Sequence, residues 1–263
     1  MKIVLDPSKD VNANAAEYYD RAKKMKGKIE GARIAVEESK KELRELEKKG
    51  AEEKKEKAEK KTMKVKRELE WYEKFHWFKT SRGLLVIAGK DASQNDLIYS
   101  RYLEENDLFF HADIQGAPAT VLKNGVKEGE GGANAQDKKE TAQFAASYSK
   151  AWKARVPAVD VYAVKKNQLT KHAQGGFIGK GAFGIIGERE WFKTTPLGIA
   201  IGVREGIAYA EPVLKKHEFE KKVELVAGSK GKAEMGKMIA KTLGVHVDEV
   251  MALIPSGDSS LKK

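Results

Sequence analysis

The chain has 263 residues, 41% hydrophobic and 34% charged, with 50 Lys and Arg against 39 Asp and Glu for a net charge of +11. Globular chains average about 45–50% apolar and about 25% charged, so a folded core with a solvated, charged appendage is expected, and recurring Leu, Ile, Val and Phe argue against full disorder. The absence of Cys removes disulfides, thiolate metal sites and cysteine nucleophiles, no stretch reaches the roughly 18 apolar residues of a membrane span, and Met1–Asp6 is too short an apolar run for a signal peptide, so a cytoplasmic setting without membrane contact is expected.

Three regions are expected: 1–78, 79–232 and 233–263. In the first, Asn14 with Glu17 three positions on reads as a capping box. Tyr18, Ala22, Met25, Ile29, Ala32, Val36, Ser39, Leu43 and Leu46 then recur at alternating steps of four and three, a heptad seam. Gly50 interrupts it, and Ala51, Lys55, Ala58, Thr62, Val65, Leu69 and Tyr72 form a weaker second seam. Two seams joined at one glycine predict a long antiparallel coiled-coil hairpin with its tip near Gly50, the alternative being a coiled-coil dimer between chains.

The second region opens after an aromatic run, Trp71, Tyr72, Phe75, Trp77 and Phe78 with His76. These residues read first as a packing knuckle and second as a base-stacking platform beside Lys74 and Lys79. Strands are predicted at Leu84–Ala88, Leu108–Ala112, Ala119–Lys123, Val159–Val164, Phe183–Gly187, Leu197–Val203 and Ile207–Ala210. Helices are predicted at Ser93–Glu105, Asp137–Arg155 and Leu214–Val226. Clustered strands with few helices between them give an α+β class, a mixed β-sheet domain with flanking helices. In the third region two short helices are predicted around Met235–Leu243 and Val247–Leu253, with a mobile tail from Ser256.

Three stretches carry candidate chemistry. In Gly89 through Asp96 a strand ends and a helix begins, so exposed N–H groups, with Ser93 as cap, suit a phosphate; Lys90 adds charge and Gln94 and Asn95 suit a ribose or base edge. His111 and Asp113, two apart on an extended chain, point the same way and suit a general-base pair or half a metal site, although no second histidine is near in sequence. Gly179, Gly181 and Gly184 spell a dinucleotide fingerprint, but β-prone residues follow where a helix is required, so a Gly-rich hairpin carrying Lys180 is expected.

Val4-Leu5-Asp6-Pro7, Asn14-Ala15 and Tyr18-Tyr19 ahead of the seam, then Trp71 through Phe78, Gly89 through Asp96, His111 through Ala117 and Ser149-Lys150-Ala151-Trp152, together resemble the NFACT family. Its members include the RqcH-type ribosome quality-control proteins, formerly called fibronectin-binding-like proteins. The resemblance covers nearly the whole chain, as the family's coiled coil and C-terminal RNA-binding domain. It implies binding to the large ribosomal subunit (rRNA) and to tRNA at stalled nascent chains. It also implies support of C-terminal tailing through the ribosome's own peptidyl-transferase centre, without a hydrolytic site or cofactor. Family members usually begin with a large N-terminal lobe and a helix-hairpin-helix segment, so the resemblance implies that this sequence is a fragment or a short form that starts after both, with the lobe as a partner, and they often have arginine where this sequence has His76 and Lys90.

The net positive charge favours a polyanion partner. Lys90, Gln94, Asn95, Arg101, Lys123 and Lys180 are the expected RNA contacts, as positional and charge readers; no catalytic residue, metal site or cofactor is expected. Two other readings are a hydrolase acting on RNA or nucleotides through His111 and Asp113, and a scaffold whose coiled coil binds a protein partner. The sequence leaves the oligomeric state open.

Overall fold

The computed structural model describes residues 4–62, 69–127, 131–173 and 176–262, with the backbone alone at 44–62, Ala173 and Phe177. The chain divides into two units, Met1–Arg67 and Glu68–Lys263.

The first unit is built on α1 (Val11–Thr62), a single helix of 52 residues. Its start is capped by Asp10, whose Oδ1 accepts the Ala13 N–H at 2.7 Å. Asn14, the expected cap, sits one turn inside and is buried. Its amide accepts from the Asp6 N–H and donates to the carbonyls of Asp6, Lys9 and Asp10, tying the entering chain to the helix. The helix runs through Gly50, so the hairpin turn expected there is replaced by continuous helix. One glycine costs a helix only about 1 kcal/mol relative to alanine, and flanking Lys, Glu and Ala are strong helix formers. The seam residues Met25, Ile29, Val36 and Leu43 are exposed. The side chains of Leu46 and of the second seam through Val65 lie outside the described residues.

The second unit begins with β1 (His76–Lys79) and β2 (Leu85–Ala88). Then come α2 (Ala92–Leu97), a π-helical turn at Ile98–Tyr102, β3 (Leu108–Ala112) and β4 (Thr120–Leu122). Next are α3 (Ala135–Ser147), α4 (Lys150–Lys153) and β5 (Ala158–Lys165). Two short ladders follow: β6 (Leu169–Thr170) pairs with β9 (Gly184–Ile185), and β7 (His172–Ala173) with β8 (Gly176–Phe177). The chain continues as β10 (Glu190–Pro196), β11 (Ile199–Arg204), β12 (Ile207–Pro212) and β13 (Lys221–Lys230). It ends with α5 (Lys232–Leu243), α6 (Val247–Leu253) and β14 (Ser259–Leu261). Six strands form one sheet in the order β1-β2-β4-β3-β5-β10, and four form a second in the order β12-β11-β13-β14. The class is α+β, with antiparallel pairing throughout the described ladders rather than a mixed sheet.

Period-two alternation splits the six-stranded sheet into two apolar faces. Val86 and Phe110 join Phe144 and Trp152 of the helices, Ile199, Ile201 and Leu225 of the second sheet, and Met235, Ile239 and Val250 of α5 and α6 in the main core. Ile87, Phe109 and Val164 face the other way, with Phe75, Ile98 and Tyr162.

Several expectations change here. The domain boundary falls at Arg67/Glu68 rather than after 78, because β1 is a strand of the large sheet. The predicted helix Leu214–Val226 is replaced by β13: Val223 and Leu225 alternate with Lys222 and Glu224, a period-two pattern that pairs with β11. The tail is not free, and 233–263 is no separate region. β14 pairs with β13, and Ser259 Oγ accepts the Trp152 Nε1–H at 3.1 Å. The predicted helix Asp137–Arg155 begins earlier, at a box made by Asn134 and Asp137, and breaks at Ser149, which caps α4.

Candidate nucleic-acid interface

The stretch from Gly89 to Asp96 turns from β2 into α2. Asp91 caps the helix, its side chain accepting the Gln94 N–H at 2.9 Å. A carboxylate therefore already fills the place expected for a phosphate, and Ser93 is not the cap. Gln94 folds back, with Oε1 accepting the Lys90 N–H at 3.0 Å and Nε2 donating to the Lys74 carbonyl. Asn95 is buried, and its Oδ1 accepts the Ala119 N–H at 3.0 Å. A Cβ at Gly89 would sit 2.2 Å from that oxygen, so glycine is required where the backbone meets Asn95. Gln94 and Asn95 thus hold the turn together, and the ribose and base reading of Asn95 is corrected by its burial.

Lys123 is also withdrawn from the surface. Its Nζ lies 2.6 Å from Asp107 and 3.1 Å from Glu104, and it donates to the Tyr102 carbonyl at 2.9 Å. Asp107 is buried, so the ammonium neutralises an interior carboxylate instead of meeting a polyanion.

Three expected cations remain exposed: Lys90, Arg101 and Lys180. None forms an ion pair at contact distance with a carboxylate among the described residues, although the Lys180 charge helps to lower the Asp96 pKa. Lys90 follows β2 directly, and partial burial of its side chain lowers its pKa. Arg101 lies in the π-helical turn that continues α2. The Gly-rich hairpin brings Lys180 to the same segment. Gly181, at φ +75°, packs so closely that an added Cβ would lie 2.7 Å from Ala92 Cβ. Its N–H donates to Asp96 Oδ1 at 3.1 Å, and Lys171 Nζ meets the same oxygen at 2.5 Å. Burial raises the Asp96 pKa, the Lys171 and Gly181 hydrogen bonds lower it, and the net position is below the usual carboxylate range. Lys171 and Asp96 form the clamp that sequence reasoning missed, because their partnership spans 75 positions.

The aromatic run divides in the structure. Phe75 and Phe78 are buried on opposite faces of the sheet, as a packing knuckle requires. Trp71 stays half open, stacked on Tyr102 with centroids 4.8 Å apart and planes 4° from parallel. Lys74 lies 4.6 Å from the Tyr102 ring centre and donates to its hydroxyl at 2.5 Å. His76 stacks on Tyr148 at 4.0 Å. Burial, with the charges of Lys90 and Lys232, lowers the His76 pKa to about 3, so it is neutral near pH 7.

His111 is half-buried, with its Nδ1 3.4 Å from the Tyr162 hydroxyl. Burial lowers its pKa. Asp113 is exposed, and no ion pair joins the two among the described residues. No group of three or more metal-ligating side chains occurs among the described residues.

Residues 74–187 match the family model of the NFACT protein RNA-binding domain, and residues 1–80 match that of the NFACT N-terminal and middle domains. The archaeal Rqc2 homolog aRqcH of Methanocaldococcus jannaschii is 40% identical over 208 residues, 76% of this chain and 30% of that protein. The human ribosome quality control complex subunit NEMF is 30% identical over 249 residues, 94% of this chain and 22% of that protein. The solved C-terminal part of the fibronectin/fibrinogen-binding protein of Streptococcus suis aligns with a TM-score of 0.38 and 21% identity over 50% of this chain and 49% of that one. The chain thus spans less than a third of the length of the two curated relatives.

Proposed function

This chain belongs to the NFACT family, and from that premise we propose that it binds RNA as a ribosome-associated factor of ribosome quality control. In this reading it engages the large ribosomal subunit and tRNA at stalled nascent chains and supports C-terminal tailing without a hydrolytic step of its own, in the cytoplasm. The observation that carries the reading is the set of exposed cations, Lys90, Arg101 and Lys180, assembled on and against α2 without an ion pair to a carboxylate among the described residues. Such cations meet phosphates and fix register on the backbone, and each phosphate neutralised releases counterions. Lys74 and Trp71, stacked around Tyr102, extend the patch with an aromatic surface.

Co-sedimentation with 50S subunits across a salt series tests this. Association should weaken steeply as salt rises. The triple variant Lys90→Ala, Arg101→Ala, Lys180→Ala should bind less and with a shallower slope. A slope unchanged in the triple variant removes these residues from the interface.

A second reading, in which α1 is a scaffold for a protein partner, is favoured by its exposed heptad seam at Met25, Ile29, Val36 and Leu43. Replacing Met25, Ile29, Val36 and Leu43 together by Ser separates the two. Loss of ribosome association with RNA binding intact supports the scaffold; loss of neither removes it.

A further inference from the structure

A row of rings crosses the outer end of the six-stranded sheet, away from Lys90. His111 of β3 is opposite Tyr162 of β5, and Tyr162 is opposite Trp191 of β10. Directly opposed residues in antiparallel strands share a face, so the three side chains stand together. Tyr162 is buried, whereas Trp191, on the edge strand, is 38% exposed. The two rings meet edge to face at 5.5 Å.

Alternation along the edge places Arg189 and Lys193 on the same side as Trp191. Arg189 Cζ lies 4.7 Å from the Tyr162 ring centre and 5.7 Å from that of Trp191. Lys193 Nζ lies 3.9 Å from the Trp191 ring centre and pairs with Asp160 at 2.8 Å. No carboxylate pairs with Arg189 among the described residues. Asp113 is the other carboxylate whose charge reaches this row.

We propose that Trp191, braced by Tyr162 and flanked by Arg189 and Lys193, is a stacking site for an unpaired base of single-stranded RNA, with the Arg189 guanidinium meeting the adjoining phosphate. The chemistry of each part matches that ligand. The indole on the strand edge offers a π-face that accepts any base once Lys193 Nζ, 3.9 Å from the ring centre, swings aside to a phosphate, and a guanidinium already stacked on rings stays planar and free to take a phosphate oxygen. A duplex keeps its bases in the stack and gains nothing from the indole, so single strands are selected. This rests on the reading of the chain as an RNA binder, but it uses the edge strand β10 and its neighbour β5, at the opposite end of the strand order from β2, which Lys90 follows.

The test is fluorescence anisotropy with the full chain, a 12-nucleotide oligoadenylate and an RNA duplex. Trp191→Ala should bind the single strand about tenfold more weakly, within the range that base–aromatic stacking supplies, and leave duplex affinity within about twofold. Trp191→Phe, which keeps a ring and the packing on Tyr162, should retain most of the affinity. It should also lose the Trp191 share of the quenching of tryptophan emission that oligoadenylate causes in the unmodified chain, leaving that of half-exposed Trp71. A Trp191→Ala protein that melts normally and binds oligoadenylate as tightly as the unmodified chain overturns the stacking site alone. So does quenching that is undiminished in Trp191→Phe. Failure of the unmodified chain to bind either RNA overturns the RNA-binding reading and this site with it.

Discussion

Lys123 and Lys90 carry the same charge and do different work. The first is held by Asp107 and Glu104, the second stands exposed without a carboxylate. Lys123→Ala leaves Asp107 buried and uncompensated, so a loss of about 3 kcal/mol in denaturant unfolding is expected, with the salt slope of RNA binding unchanged. Asn95→Ala orphans the Ala119 N–H and should cost about 1–3 kcal/mol, again without touching the slope. A changed slope in either variant would return that residue to the RNA surface. His76 sets a pH dependence. Its pKa is 6.5 in the ordinary state and about 3 in the fold, so between these values the unfolded chain binds more protons. The stability His76 contributes is whole above pH 6.5 and is lost as pH falls toward 3. The fall in Tm from pH 7 to pH 4.5 should therefore be smaller in His76→Phe, and equal falls would refute the assignment.

At the scale of elements, two of the misread segments have different causes: strong helix formers carry α1 through Gly50, and a strand partner captures the C-terminal tail. Gly50 punctuates the seam, yet α1 continues through it. A proline there removes a helical hydrogen bond and clashes with the preceding turn, at about 3 kcal/mol or more. Gly50→Pro should lower the helical signal in far-UV circular dichroism; an unchanged signal would restore a turn at that position. The C-terminal strand β14 completes the second sheet and satisfies the buried Trp152 indole through Ser259. Removing residues 256–263 exposes the β13 edge and orphans that N–H, so a drop in Tm is expected, with calorimetry as the check.

For the whole molecule, the net charge of +11 matters through where it is left unpaired. Each phosphate contact contributes about 0.7 to the logarithmic salt slope on single strands, so losing Lys90, Arg101 and Lys180 together should flatten it by about 2. The family motifs, the α+β class, the helical character of α1 and the strands of the main core were legible in the sequence, because periodicity acts between near neighbours, whereas the expected caps Asn14 and Ser93 gave way to Asp10 and Asp91. The edge strand β10 was not. Its Glu190-Trp191-Phe192-Lys193 run sets two adjacent aromatics between charges instead of alternating, so the apolar signal emerges only when Phe192 is seen against Phe110. The fate of the candidate contacts was likewise decided in three dimensions. Composition and local pattern specified a basic α+β chain with a long helix and the NFACT motifs. Tertiary structure alone decided which polar residues stay exposed and which are drawn into the fold, because the partners that withdraw Asn95 and Lys123, Ala119 and Asp107, are brought to them by the pairing of strands distant in sequence.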